Sequence, residues 1–372
     1  MAIKRYTANA DNSITNAFES NLQTRGTGSN AGAADVLETF SIYGQESSGS
    51  SELSRILVQF PVSDISSDRT AGTIPASGSV NFFLNLYNAP HSTTLPRDFK
   101  LTVNAINGVW EEGYGLDLDN YTDLTYDKIG SNWIRKAGST SWTTAGGDIY
   151  TDSSSSFEQS FPVGTEDLSI DITTLVEQWI NSGGNVLGSK DNNGVLVKLS
   201  ASYEATSSTN LEGAVVSYYT KQFFARGSEF FFKKPTLEAR WDSTLKDQRG
   251  TFFFSSSLAP AVDNLNTIFL YNYIRGRLRD IPSIGTDSIY VSVFSGSLDN
   301  TAPLGSALSM SPDGTHVSSD NLLVATGSHV STGIYKCSFA FTGSTTLEKI
   351  YDVWFSGSVG ISDATAATIQ FH

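Results

Sequence analysis

The sequence predicts an all-β protein with two β-sandwich domains of the jelly-roll or immunoglobulin-like kind and one short helix in the first. Three observations predict this class. Apolar and polar residues alternate in runs of strand length, and this period of two is typical of half-buried strands. Ser, Thr, Asn and Gly are abundant, and they favour turns and strands over helix interiors. Aromatic residues make up 12% of the 372 residues, which supplies apolar volume for packed cores.

Strand-length runs follow one another along the first part of the chain. Residues 55–60 read Arg-Ile-Leu-Val-Gln-Phe, residues 80–87 read Val-Asn-Phe-Phe-Leu-Asn-Leu-Tyr, and residues 194–199 read Gly-Val-Leu-Val-Lys-Leu. Glycine, proline and asparagine punctuate the sequence between such runs, as they do in antiparallel sandwiches. We therefore predict an antiparallel strand at each of these three positions.

One helix is predicted among these strands, at residues 171–183. Its apolar residues share one face at helical spacing, and Gly183 follows as a stop signal. Thr174 and Glu177 have the spacing of a capping box. We expect this helix to pack against the sandwich through Trp179.

The pattern divides the chain into a first domain at residues 1–245 and a smaller second domain at 246–372. Residues 234–241 indicate the last strand of the first domain, and residues 251–254 open a new strand pattern. Further strand-like runs follow, among them residues 288–294. Their number suffices for a second sandwich, which we expect to serve in assembly.

Composition argues against several classes of protein. No apolar run approaches the ~18–20 residues that a membrane helix needs, and the first residues contain no apolar signal-peptide core. The formal net charge of −14 disfavours binding to nucleic acids and to anionic membranes. Cys337 is the single cysteine, so no intrachain disulfide forms; a small buried residue is a better interpretation of it than a nucleophile.

No motif indicates a cofactor, a metal centre or a catalytic pair. The four histidines are scattered without the spacing of zinc ligands. Glu111 and Glu112 are adjacent, so on a strand they would point to opposite faces and could not flank one glycosidic bond. One loop gathers oxygen ligands that suit calcium: Asp117, Asp119, Asn120 and Asp123. Because it lacks the glycine and the final glutamate of an EF-hand, we favour a solvated acidic loop.

Charge is distributed unevenly along the chain. Residues 221–279 hold ten basic and five acidic residues, so this stretch carries +5 and the rest of the chain −19. Arg275, Arg277 and Arg279 alternate with apolar or small residues within it. On a strand these arginines would form a ridge that docks carboxylates of a neighbouring subunit. A solvent-facing strand is the simpler alternative.

Aromatic and basic residues interleave at residues 216–235. Such a pattern also occurs in platforms for single-stranded nucleic acid, but the acidic net charge favours a core or a protein interface. We predict a turn at residues 225–228 between two strands, with phenylalanines that serve the core on one side and a partner on the other. The interface candidates in this segment are Phe223, Phe224, Phe230 and Phe232.

Aromatic residues in the first domain suggest an alternative function. Pyranose rings stack on exposed indole and phenol faces, whereas buried aromatic rings simply fill a core. The candidates for glycan stacking are Trp110, Tyr114, Tyr126, Trp133 and Trp142. Their exposure decides between the two interpretations.

An ordered series of motifs runs through the first domain. In chain order it consists of Asn-Ala-Asp at 9–11, residues 55–60, Trp-Glu-Glu at 110–112, Leu-Thr-Tyr at 124–126, Trp142, Gly-Gly-Asp at 146–148, residues 170–179, Asn-Gly-Val at 193–195 and Lys-Pro-Thr-Leu at 234–237. This series resembles the DNRLRE-type β-sandwich domain, a relative of carbohydrate-binding modules that occurs in many extracellular and virion proteins. The chain departs from the family at Tyr126, where the family commonly has Trp, and in long insertions between strands.

The whole chain also resembles virion structural proteins of contractile-tailed marine phages, especially cyanophages. Residues 275–282 and Tyr-Asp-Val-Trp at 351–354 contribute to this resemblance. This resemblance implies a non-enzymatic structural protein, either in the neck or tail or as a decoration of the particle. Such a protein contacts other virion proteins and copies of itself. Such a protein is made in the host cytoplasm and needs no export signal. The alternative is a carbohydrate-binding module that attaches to glycans of the host surface.

Overall fold

The computed structural model describes residues 1–44, 51–91, 95–117, 130–181, 187–206, 210–211, 213–296, 302–316, 322–342, 349–357 and 369–371. The chain forms two compact units, Met1–Ser243 and Thr244–His372. Strands dominate both units, and the prediction of an all-β protein with two sandwich-type domains is confirmed.

The first unit contains two main antiparallel sheets. Its strands are β1 (Ala2–Thr7), β2 (Ala10–Thr15), β3 (Val36–Ile42), β4 (Glu52–Gln59), β5 (Asn81–Leu86), β6 (Phe99–Ala105), β7 (Arg135–Ala137), β8 (Thr140–Ser141), β9 (Ser156–Phe161), β10 (Leu168–Asp171), β11 (Val195–Leu199), β12 (Tyr218–Phe224) and β13 (Thr236–Trp241). The smaller sheet has the order β1-β13-β5-β10. The larger sheet has the order β12-β3-β4-β11-β6-β9, with β2 paired to β4, while β7 and β8 form a separate small ribbon.

Alternation along the strands places the core of this unit between its two sheets. Ile56 and Val58 of β4 and Val195 and Val197 of β11 are fully buried in one cluster with residues of the smaller sheet. The residues between them, such as Leu196, point to the opposite face of the larger sheet. That second face is also covered, which has consequences for the predicted binding residues.

The predicted helix is present as α2 (Thr173–Ile180), and its apolar face packs into the core of the first unit. The capping box is absent: Thr174 does not cap the helix, and Glu177 instead pairs with Arg69 at 2.6 Å and 2.7 Å. The carboxylate of Asp171 accepts the backbone N–H of the first helical residue at 2.9 Å. Glu177 therefore joins two helices rather than closing the start of its own.

A second helix, α1 (Val62–Thr70), corrects the prediction of one helix. Its sequence is rich in Ser and Asp, which are poor helix formers, and only Val62 and Ile65 are buried in it. Tertiary contacts hold it: Asp68 accepts the Tyr6 hydroxyl at 2.8 Å, and its last turn is anchored to α2. Local propensity gave no signal for this helix because long-range contacts stabilise it.

The main sheet of the second unit is curled and antiparallel, with the order β14-β21-β20-β17-β22-β23. Strand β18 pairs with β17, strand β19 pairs with β21, and β15 and β16 form a separate two-stranded sheet. Its strands are β14 (Leu265–Tyr271), β15 (Tyr273–Ile274), β16 (Arg277–Leu278), β17 (Ile289–Gly296), β18 (Pro303–Leu304), β19 (Met310–Ser311), β20 (Ala325–Ser331), β21 (Ile334–Phe341), β22 (Ile350–Ser356) and β23 (Ile369–Phe371). One half of β20 pairs with β17 and the other with β21, so the sheet curls around its larger apolar cluster, while Phe294, Val353 and Phe355 form a smaller one. Cys337 lies in the larger cluster, where burial raises the pKa of its thiol to about 12.

The strand predicted at residues 251–254 is absent. Three short 3-10 helices occur among the described residues, at Phe231–Lys233, Gln248–Thr251 and Ala261–Asn264. Beyond the second of these, the backbone N–H and carbonyl of Phe253 pair with the side-chain amide of Asn266, at 3.0 Å and 2.8 Å. A side chain satisfies the backbone groups that a strand ladder would otherwise use.

Candidate functional site

The outward face of the larger sheet is covered by the segment that connects β6 to β9. Three of the predicted glycan-stacking residues lie in it: Trp110, Trp133 and Trp142. All three are buried in one cluster with outward-facing leucines of the sheet. The indole N–H of Trp110 donates to the carbonyl of Asn193 at 2.8 Å, and that of Trp142 donates to the carbonyl of Asn132 at 2.9 Å. Their faces are not free to stack on a sugar, and this part of the stacking prediction is wrong.

The two predicted tyrosines differ from the tryptophans. Tyr114 is 68% exposed, whereas Tyr126 lies outside the described residues. A single exposed phenol ring does not form the stacking platform that was the alternative to core packing.

An open cleft of about 1110 Å³ lies beside Trp133 on the same face of the first unit. Arg55 of β4 and Lys198 of β11 line it together with Glu204. Two guanidinium nitrogens of Arg55 each lie 3.0 Å from a carboxylate oxygen of Glu204, and Lys198 Nζ lies 3.3 Å from one of them. The single carboxylate of Glu204 therefore serves two cations, and this group of three side chains keeps one excess positive charge.

The electrostatics of the cleft do not suit acid catalysis. Burial works to raise the pKa of Glu204, but the positive charges of Arg55 and Lys198 outweigh it and lower that pKa. Asp148, a second carboxylate on the lining, accepts two backbone N–H groups of the turn before it, at 2.9 Å and 2.8 Å. Both carboxylates are engaged as acceptors, so neither is poised to give a proton to a glycosidic oxygen.

Glu111 and Glu112 serve separate structural contacts. Glu112 pairs with Arg226 at 2.7 Å and 3.1 Å, and it accepts the backbone N–H of Asp11 at 2.8 Å. Glu111 instead accepts the backbone N–H of Gly138 at 3.2 Å. Side chains that face different partners are consistent with the expectation that these two residues do not flank one bond.

The predicted acidic loop is described only in part. Asp117 is buried, and its carboxylate accepts the backbone N–H of Asn30 at 3.0 Å. Asp119, Asn120 and Asp123 lie outside the described residues. Within the described part of the chain, no three His, Cys, Asp or Glu side chains group as they would around a metal ion.

The aromatic and basic segment separates into a buried and an exposed part. Strand β12 ends at Phe223 and Phe224, which are both buried, so these two interface candidates belong to the core. The predicted turn follows at residues 225–228. The expected second strand is a 3-10 helix, Phe231–Lys233, because Pro235 comes soon after it and three adjacent bulky rings do not share a buried face.

The exposed part forms an apolar surface, which we call the Phe surface. It consists of Phe230, Phe231 and Phe232, which are 52%, 69% and 81% exposed. Lys233 Nζ lies 5.1 Å from the ring of Phe224, and Lys234 Nζ lies 5.7 Å from the ring of Phe231. Exposed aromatic rings grouped in this way are typical of interaction sites.

The three arginines of the predicted ridge lie on a β-hairpin rather than on one strand. β15 pairs with β16, and the turn between them has φ of 52° at Arg275 and 74° at Gly276. Positive φ at both central residues is the requirement of a two-residue type I′ turn, and Gly276 meets it without strain. The predicted ridge on one face of a strand is therefore corrected to a hairpin tip.

The hairpin brings three arginines around one concavity, which we call the Arg hairpin site. Arg275, Arg277 and Arg279 line it together with Asp280, and its volume is about 550 Å³. All three are exposed, and none forms an ion pair with any residue in the described ranges. The neighbouring Asp280 is engaged elsewhere, because it accepts the N–H of Gly333 at 2.6 Å and contacts His329 at 3.0 Å.

Sequence reasoning missed the charged group at the floor of the cleft. Lys198 sits within an otherwise apolar strand, and a basic residue in such a run is a signal for a buried ion pair. Arg55 lies in a strand with other polar residues, so its own pattern was weaker. Their partner Glu204 lies in a polar stretch and gave no signal. Only the fold brings together Arg55 and Glu204, which are 149 positions apart.

Comparison with known proteins leaves the chain without a family. No protein-family model matches it, and no curated protein matches it. Among the helices of the described residues, none combines the length and the apolar character needed to cross a membrane.

Proposed function

We propose that this protein is a non-enzymatic structural component of a phage virion, in the neck or tail or as a decoration of the particle, and that it joins neighbouring subunits. The Arg hairpin site carries this proposal. Three exposed guanidiniums without an ion pair in the described part of the chain form a docking site for carboxylates, since arginine makes bidentate, charge-assisted hydrogen bonds with them.

Charge complementarity indicates another copy of this chain as the partner. The protein has a net charge of −14, while residues 221–279 alone carry +5. A basic hairpin on an acidic protein is attracted to the acidic surface of a neighbouring copy. Head-to-tail contacts of this kind close into rings when the rotation between subunits permits it.

Quantitative mass spectrometry of purified particles tests the proposal. We expect a reproducible whole-number copy count that fits the symmetry of the head, neck or tail. Absence of the chain from particles would refute the virion role.

A charge reversal then tests the hairpin itself. We expect Arg277→Glu to lower incorporation into particles at least about tenfold, which corresponds to about 1.4 kcal/mol of contact free energy. Arg97→Glu is the matched control, because Arg97 is an exposed arginine of the first unit. Normal incorporation of the Arg277 variant, or an equal loss in the control, would remove the hairpin from the interface.

The cleft of the first unit favours a second candidate function, attachment to a surface glycan. It is open, and Asn107, Thr143 and Asn210 line it together with Trp133. Such groups satisfy sugar hydroxyls by hydrogen bonding. Binding of the purified protein to a panel of bacterial surface glycans, lost in Asn107→Leu, would support this function; no binding to any glycan would exclude it.

A further inference from the structure

A buried lysine lies in the first unit, apart from the Phe surface and the cleft. Lys221 of β12 is 2% exposed. Its Nζ lies 5.4 Å from the ring centre of Phe161 and 5.0 Å from that of Phe223. It makes no ion pair with any residue that the structure describes, although a buried lysine is usually paired with a carboxylate.

The lysine contacts an asparagine side chain instead. Lys221 Nζ donates hydrogen bonds to Oδ1 of Asn88 and, at 2.8 Å, to the carbonyl of Gly164. Asn88 is held in place, because its backbone N–H donates to Asp167 at 2.7 Å and its backbone bridges that of Phe223. Since Oδ1 is bonded directly to Cγ, the amine is fixed next to the electrophilic carbon of the amide.

The surroundings favour the reactive, neutral amine. Burial lowers the pKa of Lys221 to about 8, against the opposing charges of Glu166 and Asp167. The unprotonated amine is the nucleophilic form of lysine. Desolvation beside two aromatic rings therefore enlarges the nucleophilic fraction of Nζ, which reaches one half near pH 8.

A neutral histidine, His91, follows Asn88 closely in the sequence. Both ring nitrogens of His91 are buried, and neither has a hydrogen-bond partner in the described structure. Burial and the neighbouring charge of Lys221 lower the pKa of His91 to about 4, so the imidazole stays neutral and adds no second positive charge beside the lysine.

We propose that Lys221 and Asn88 join spontaneously in an intramolecular isopeptide bond. The ammonium first gives one proton to the solvent, which a pKa of about 8 permits at mildly alkaline pH. Nζ then attacks Cγ of Asn88, the Nζ–Cγ bond forms and the Cγ–Nδ2 bond breaks. Nδ2 takes a second proton from Nζ and leaves as ammonia. Nothing is oxidised or reduced, and no co-reactant is needed.

The bond gives the first unit a covalent cross-link. It connects β12 to the segment after β5, across 133 positions of the chain. A cross-link over so long a loop restricts the unfolded chain as a disulfide does. With a single cysteine, this protein has no disulfide of its own to serve that purpose.

Mass spectrometry of the full-length protein tests the proposal. We expect the denatured wild type to be lighter than its sequence mass by one ammonia, about 17 Da. Proteolysis followed by tandem mass spectrometry should yield a branched peptide that joins positions 88 and 221. This readout separates the isopeptide from a succinimide at another asparagine, which loses the same mass without a branch.

Variants identify the two reacting groups. Lys221→Arg and Asn88→Ala should keep the full mass, while Asn88→Asp should form the same bond with loss of one water, about 18 Da. Lys198→Met is the matched control, because Lys198 is also largely buried but contacts a carboxylate; it should retain the ammonia loss. Wild-type protein at its full sequence mass after incubation near pH 9, with no branched peptide, overturns the proposal. That result does not bear on the virion role.

Discussion

A buried carboxylate in the first unit gives the pH dependence of stability a definite sign. Asp11 of β2 is 2% exposed and accepts the backbone N–H of Arg226, and Glu112 lies against it. Burial raises the pKa of Asp11 from 3.8 to about 7; the charge of Glu112 adds to this effect, and Arg226 opposes it. The folded protein therefore binds a proton more tightly at this site than the unfolded chain does.

The direction of the effect follows from linkage. The unfolded chain loses the Asp11 proton near pH 3.8, and the folded protein loses it near pH 7. The contribution of this group to the free energy of unfolding is greatest below the unfolded pKa. It falls as the pH rises between the two pKa values and levels off above the folded one. Over the whole window the fall amounts to about 4 kcal/mol, of which about 2.5 kcal/mol lies between pH 5 and pH 8.

Asp11→Asn removes the titration and keeps the fold. The amide oxygen can accept the same N–H from Arg226, and its NH₂ group can donate to Glu112. We expect the wild type to lose about 2.5 kcal/mol more stability than the variant between pH 5 and pH 8. Urea denaturation at several pH values, followed by tryptophan fluorescence, measures this difference.

An exposed aspartate provides the control. Asp191→Asn should follow the wild-type pH profile, because Asp191 lies at the surface. Parallel profiles for the wild type and Asp11→Asn would refute the reasoning, since they would mean that the folded and unfolded states bind the Asp11 proton equally.

The remaining predictions concern packing and buried charge. Phe223→Ala should lower the free energy of unfolding by about 3–5 kcal/mol, because its ring is buried. Phe232→Ala should change it by less than about 0.5 kcal/mol, because that ring is 81% exposed. Similar losses for the two variants in urea denaturation would contradict the assignment of one ring to the core and the other to the surface. Glu204→Gln should cost about 3–5 kcal/mol, because it leaves Arg55 and Lys198 largely buried without their counter-charge. An unchanged thermal midpoint for that variant would show that water reaches the two cations in the cleft.

Local patterns in the sequence determined the fold class. Period-two alternation predicted strands at 55–60, 80–87, 194–199 and 288–294, and β4, β5, β11 and β17 lie there. Helical spacing predicted α2 in the same way. Such patterns can be read directly because they reflect which side of one element faces a core, a property of neighbouring residues.

Tertiary structure decided what lies on each face. The pattern of a single strand does not show that a later segment covers its outward face, so the sequence alone left both core packing and glycan stacking open for the three tryptophans. Helix α1 was missed because its anchors lie far away in sequence, and the arginine ridge became a hairpin because Arg275 and Gly276 take positive φ together.

The candidate reactive pair depends on the fold in the same way. Lys221 and Asn88 are 133 positions apart, and neither residue carries a local signal. The sequence by itself determined that the protein is built from strands, that it carries excess negative charge and that its basic residues gather in the middle of the chain. Only the fold placed an amine against an amide between two aromatic rings, because that contact arises from packing between distant strands.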